Sequence, residues 1–126
     1  MKRKEKVYGV TLWTLKRADA EYSKHLREKR GYKCEKCMRY EAPPTSYIQV
    51  SHYLRRSYKA VRFDDDNCDV LCASCHHFFE NERMGNYQEW KIARLGKERH
   101  DALWKKANNS QGETHAIFEL MKRIKQ

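Results

Sequence analysis

The chain has 126 residues and a formal net charge of +10, from 27 Lys and Arg against 17 Asp and Glu. That length suits one domain and excludes two full cores, and no run approaches the roughly 18 apolar residues of a spanning helix. Three Trp, eight Tyr and four Phe can anchor a core, which excludes wholesale disorder, and the five Gly and two Pro are few enough to favour a helix-rich chain.

Residues 1–10 read as a basic, loosely ordered arm carrying Lys2, Arg3, Lys4 and Lys6. MKRKEKVYGV lacks the apolar run of a secretory signal, so a reducing, cytoplasmic compartment is expected. Leu12, Leu15, Ala18, Tyr22 and Leu26 recur at helical steps. They predict a helix over 12–30, closed by Gly31 after the basic Arg27, Lys29 and Arg30. Cys34-Glu-Lys-Cys37 follows, and Pro43-Pro44 breaks the chain. Tyr47 to Tyr53 is rich in strand formers. Arg55, Arg56, Lys59 and Arg62 then make the densest basic stretch, suited to phosphate contacts that position without reading sequence. Asp64-Asp65-Asp66-Asn67 reads as a turn, and Asp69 to Leu71 as a short second strand entering Cys72-Ala-Ser-Cys75. His76 to Glu82 should be helical, with Gly85-Asn86 interrupting. Helices over 87–95, closed by Gly96, and over 97–107 come next. After a linker at 108–112, the helix over 113–125 aligns Ile117, Leu120, Met121 and Ile124. That stripe either packs on the domain or forms a homodimer contact. Tyr87, Trp90 and Trp104 are expected in the core rather than as stacking platforms.

Cysteine spacing carries the strongest chemical signal. Two pairs with two-residue gaps, Cys34/Cys37 and Cys72/Cys75, are what a tetrahedral thiolate site needs, and such a set suits structural zinc. The intervening residues 38–71 are too many for a short zinc ribbon and should hold structure of their own. Cys68 is left over, as a small buried residue or, alternatively, a reactive thiol. The positive balance points to nucleic acid as partner. A membrane surface is disfavoured, because no predicted helix pairs a wide apolar face with a uniformly basic one.

Asn67 followed by Leu71-Cys72-x-x-Cys75-His76, with His52 on a strand between the knuckles, resembles the His-Asn-His (HNH) endonuclease family. His52-Tyr53, Val61-Arg62-Phe63-Asp64, Asn67 and Cys72-x-x-Cys75-His76 are similar to phage recombination endonucleases of the NinG type. The resemblance covers roughly residues 34–96. It implies an α+β, mostly helical fold: a zinc-stabilised ββα-metal core over 34–82, flanked by the N-terminal helix and by C-terminal helices over 86–126, in one domain. It implies metal-dependent hydrolysis of DNA phosphodiester bonds, on branched or recombination-intermediate DNA of a phage, in the host cytoplasm. His52 would be the general base and Asn67 would position the loop that carries it. His76 and Glu80, four residues apart on one helix face, would hold a catalytic Mg2+ or Mn2+. His77 ranks behind His76 for that role. Two departures stand out: Ser51 occupies the place where many members carry a metal-binding His or Asp, and Glu80 stands where many carry a further His. The first metal ligand therefore stays open, with Asp64, Asp65 or Asp66 as substitutes. The rival functions are a non-catalytic zinc-stabilised module that binds nucleic acid, with His52 structural, and an RNA-directed nuclease.

Overall fold

The computed structural model describes residues 6, 7, 9–109 and 111–124. The chain opens on a small antiparallel hairpin, β1 (Lys6–Val7) with β2 (Val10–Thr11). Its turn uses Gly9 at φ +76°, a left-handed conformation that a Cβ would strain. Lys6 thus begins a strand where a loose arm is expected, while Lys2, Arg3 and Lys4 lie outside the described residues.

Helix α1 (Leu15–Lys29) starts later than residue 12 because Thr14 caps it, its Oγ1 accepting from the Arg17 N–H at 3.2 Å. Such a cap is worth about 1 kcal/mol. Ala18, Tyr22 and Leu26 form its buried stripe, and Leu12 is buried from the extended segment that precedes the helix.

The centre of the fold is an antiparallel ladder of β3 (Ile48–His52) and β4 (Cys68–Cys72). Ile48 pairs with Cys72, Ser51 with Asp69 and His52 with Cys68. β4 is buried along its whole length, so helices cover the ladder on both sides. α1 lies against β3, and α5 (Glu113–Ile124) packs on α1 through Ile117, Leu120 and Met121. The terminal stripe is therefore spent within the domain. Tyr22 meets Phe63 edge to face, with centroids 5.5 Å apart. α2 (Ala73–Glu80) begins where β4 ends and covers β3 and β4 with Phe79, whose ring stacks on Tyr87 at 4.4 Å.

Gly85 and Asn86 do not break the chain. Residues Arg83–Tyr87 form a π-helical turn that runs straight into α3 (Gln88–Leu95). Gly96, at φ +83°, separates α3 from α4 (Lys97–Ala107). The protein is thus α+β and mainly helical. No described helix is long and apolar enough to cross a membrane. No buried side-chain nitrogen or oxygen among the described residues lacks a hydrogen-bond partner.

Candidate active site and cysteine cluster

The first cysteine pair sits on a tight turn. Met38, at φ +69°, donates its N–H to the Cys34 carbonyl at 2.9 Å, and the Cys37 N–H points at Cys34 Sγ, 3.5 Å away. Glu35 fastens this turn to β4. Its N–H donates to the Val70 carbonyl, its Oε1 accepts from the Val70 N–H and from Arg30, both at 2.7 Å, and its Oε2 pairs with Arg94. The second pair spans the junction of β4 and α2, with Cys72 at the cap position and Cys75 in the first turn. All four sulfurs lie within 4.8 Å of one another, so one metal ion can be held by Cys34, Cys37, Cys72 and Cys75 together. Cys37 Sγ and Cys72 Sγ are 3.7 Å apart. A tetrahedron with Zn–S bonds of about 2.3 Å has edges of about 3.8 Å, whereas a disulfide requires about 2.05 Å. Burial raises the Cys34 pKa, but backbone N–H groups of Cys37, Cys72 and Lys36 outweigh it and bring the thiol down to about 7. Cys68 stands apart: it is fully buried and burial pushes its thiol up to about 12, as expected of an inert core residue.

His52 closes β3. Its Nε2 lies 2.9 Å from the Arg62 carbonyl oxygen. A carbonyl only accepts, so Nε2 carries the proton and the neutral ring keeps its lone pair on Nδ1. The loop that presents this carbonyl is held by Asn67, which is completely buried. Asn67 Oδ1 accepts from the Leu54 N–H at 2.7 Å, and Nδ2 donates to the Leu54 and Val61 carbonyls at 3.0 Å each. His52 is 9% exposed. Burial first, and then the charge of Arg56, lowers its pKa to about 4, which keeps the ring neutral across the physiological range.

His76 sits on the strand-facing side of α2, with Nδ1 2.7 Å from Gln49 Oε1. The Gln49 amide orientation follows from its other end, where Nε2 donates to the Ser46 carbonyl at 3.0 Å. His76 therefore donates through Nδ1, which leaves the Nε2 lone pair free, 4.0 Å from Glu80 Oε1. Desolvation lowers the His76 pKa; Glu80 opposes the shift, and Arg83 and Arg56 add to it. Arg56 thus acts on both imidazoles. His77 faces solvent and contacts Asn81.

Arg83 ties the two halves together, and nothing in the sequence singled it out. Its NH1 donates to the His52 and Tyr53 carbonyls at 2.7 Å each, and its NH2 is 3.8 Å from Glu80 Oε1. The only signal available was its place three residues after Glu80.

Several expected roles resolve differently. Arg62 is not a free phosphate contact: Asp19 grips its guanidinium at 2.9 and 2.7 Å, pinning the loop to α1. Arg55, Arg56 and Lys59 remain exposed. Ser51 is buried, its hydroxyl 3.0 Å from Tyr87 Oη. Tyr87 donates to Asp69 Oδ2 at 2.7 Å, and the buried Lys91 ammonium donates to Asp69 Oδ1 at 2.8 Å. The position before His52 is thus filled by a closed, charge-balanced network. Asp64, Asp65 and Asp66, the substitutes open for the first metal ligand, all have partners within the protein. They pair with Lys106, with Tyr22 and Lys29, and with Arg99 respectively. Among the described residues, the cysteine set is the only group of three or more metal-ligating His, Cys, Asp or Glu side chains, so His76 and Glu80 stand as a pair. Comparison with family models, with curated proteins and with solved structures returns no match for this chain.

Proposed function

We propose that this protein is an HNH-type endonuclease that hydrolyses DNA phosphodiester bonds, with structural zinc in the Cys34, Cys37, Cys72 and Cys75 cluster. The observation that carries the reading is the polarised imidazole of His52. With Nε2–H committed to the Arg62 carbonyl, Nδ1 is the one basic atom, and it is unprotonated at neutral pH. A general base needs that state.

The remaining groups fit the same reaction. His52 Nδ1 takes a proton from the attacking water. Asn67 holds the Arg62 carbonyl in place by clamping both ends of the loop, and so acts as a positioning residue. The exposed Arg55, Arg56 and Lys59, on a chain of net charge +10, face a polyanion favourably. Two protein ligands are enough for an ion that completes its octahedron with water and phosphate; adjacent positions at bonds of about 2.1 Å lie about 3.0 Å apart, so His76 Nε2 and Glu80 Oε1, 4.0 Å apart, would close by about 1 Å to share it. These residues would hold magnesium or manganese, which supplies charge stabilisation at the scissile phosphate and the departing 3′-oxygen. Branched or recombination-intermediate DNA is the substrate class that the NinG-type resemblance implies.

The test is cleavage by the purified full chain, with magnesium or manganese, on linear duplex, four-way junction, single-stranded DNA and RNA. Cutting of DNA that His52→Ala abolishes, with metal content and DNA affinity retained, is the expected result. Parent-rate cutting by His52→Ala refutes the assignment of the base. Binding without cleavage of any substrate favours a non-catalytic module instead, and cleavage confined to RNA favours the RNA-directed nuclease.

A further inference from the structure

A cavity of about 390 Å3 opens beside the candidate site, within the size range of small-molecule pockets. It is lined by Tyr53 and Leu54, which directly follow His52, and by Arg55, Tyr58, Arg83 and Trp104, with Met84 at its lip. Its chemistry is one-sided: two guanidiniums and no carboxylate line it. By contrast, the cavity of about 330 Å3 lined by Arg30, Glu35, Asp69 and Lys91 is a set of internally paired charges.

Tyr58 and Trp104 meet at 85° with centroids 5.7 Å apart, which makes an aromatic corner. Tyr53, on the cavity's other wall, is held by His100, whose Nε2 lies 2.8 Å from the Tyr53 hydroxyl. Met84 is 75% exposed, the most exposed large apolar side chain described. Arg83 is shared, since it lines this cavity and also holds the His52 carbonyl. A flat, apolar-faced ligand attached to a phosphate meets these features: the ring stacks in the corner and the phosphate lies by the exposed guanidinium of Arg55.

We infer that this cavity receives one unpaired nucleobase of the DNA, displaced from its stack, next to the strand position where cleavage is proposed. A fully paired duplex offers no such base, so the pocket confers a preference for branched, bulged or single-stranded DNA. The inference rests on the nuclease reading, and it assigns Tyr58, Trp104 and Met84 to specificity.

The test uses the full chain without added magnesium or manganese. A duplex with one bulged 2-aminopurine is compared with the same duplex fully paired. The parent protein should bind the bulged DNA roughly tenfold more tightly and change the fluorescence of the bulged base. Tenfold corresponds to about 1.4 kcal/mol, within the range of one base–aromatic stack. Trp104→Leu and Tyr58→Leu should each remove most of that preference while paired-duplex affinity stays within about twofold. Met84→Ser, at an exposed position, gives the same direction of effect if either aromatic variant fails to fold. Equal affinity for both DNAs together with an unchanged 2-aminopurine signal in the parent overturns the inference. If cleavage still depends on His52 in that case, only the pocket assignment falls. If the parent cuts no DNA yet shows the bulge preference, only the nuclease reading falls.

Discussion

Asn67→Ala tests how the fold holds its candidate base. The side chain makes three hydrogen bonds to the loop between β3 and β4: one from the Leu54 N–H and two to the carbonyls of Leu54 and Val61. It is completely buried, so no water replaces them at the surface. A net value of about 1 kcal/mol per bond puts the loss at about 3 kcal/mol. For a domain of this size, at about 4 °C per kcal/mol, the melting temperature should fall by about 12 °C. Thermal melting followed by far-ultraviolet circular dichroism measures it. The same change loosens the Arg62 carbonyl, so the His52 ring should lose its fixed tautomer. Imidazole 15N shifts in the parent should report a protonated Nε2 and a bare Nδ1, and in the variant a mixture. Asn67→Asp retains the acceptor for the Leu54 N–H but faces two carbonyls with a carboxylate, so it should melt no higher than Asn67→Ala. A melting temperature for Asn67→Ala within about 2 °C of the parent refutes the claim that this side chain holds the loop.

Cys34→Ser or Cys72→Ser should reduce bound zinc from one ion per chain to almost none and abolish the cooperative melt, because metal binding and folding are coupled; metal analysis with calorimetry reads both. His52 has a folded pKa of about 4, below the unfolded value near 6.5, so the unfolded chain binds the extra proton. Stability should therefore be full above about pH 6.5 and fall as the pH drops towards 4, and denaturant midpoints across that window should show a shallower slope in His52→Asn. Asp19→Asn breaks a bidentate, partly buried pair with Arg62 and should cost about 1–2 kcal/mol by denaturant titration. Arg83→Met should lower the cleavage rate at least tenfold on the proposed substrate, since it removes the link between the His52 carbonyl and Glu80, with the zinc content of the parent retained.

Local pattern made much of this fold legible. The stripe through Ala18, Tyr22 and Leu26 needs only the helical period, and the spacing of the two cysteine pairs needs only the geometry of thiolates on one ion. Asn67 sits where a turn residue was expected, and its side chain spans the loop because β3 and β4 pair in one register. What was illegible depends on partners far apart in sequence. Arg62 reads as a free cation in a basic run, yet Asp19 on α1 claims it. Asp64, Asp65 and Asp66 read as an available acidic cluster, yet each has a cation or hydroxyl from another element. Gly85-Asn86 reads as a breaker, but the chain absorbs both in a π-helical turn that carries Arg83 into place. Periodicity describes one element at a time, whereas these roles belong to pairs of elements.

The hairpin explains why one chain carries both a cysteine cluster and a polarised histidine. Ile48 pairs with Cys72 at one end of the ladder, and His52 pairs with Cys68 at the other. At about 3.3 Å per residue, four steps separate the ends by about 13 Å. Side chains alternate across a strand, so a slip of one residue would turn His52 away from the Arg62 carbonyl and bring Ser51 out of its network with Tyr87. The cluster end resists that slip, because Cys72 is one of four converging sulfurs and Glu35 grips the Val70 backbone on both its faces, N–H and C=O. The far end resists it through the charge-balanced burial of Asp69 with Lys91 and Tyr87, which no shifted register would satisfy. Register is thus fixed twice, from both ends, and the orientation of the His52 ring follows from it.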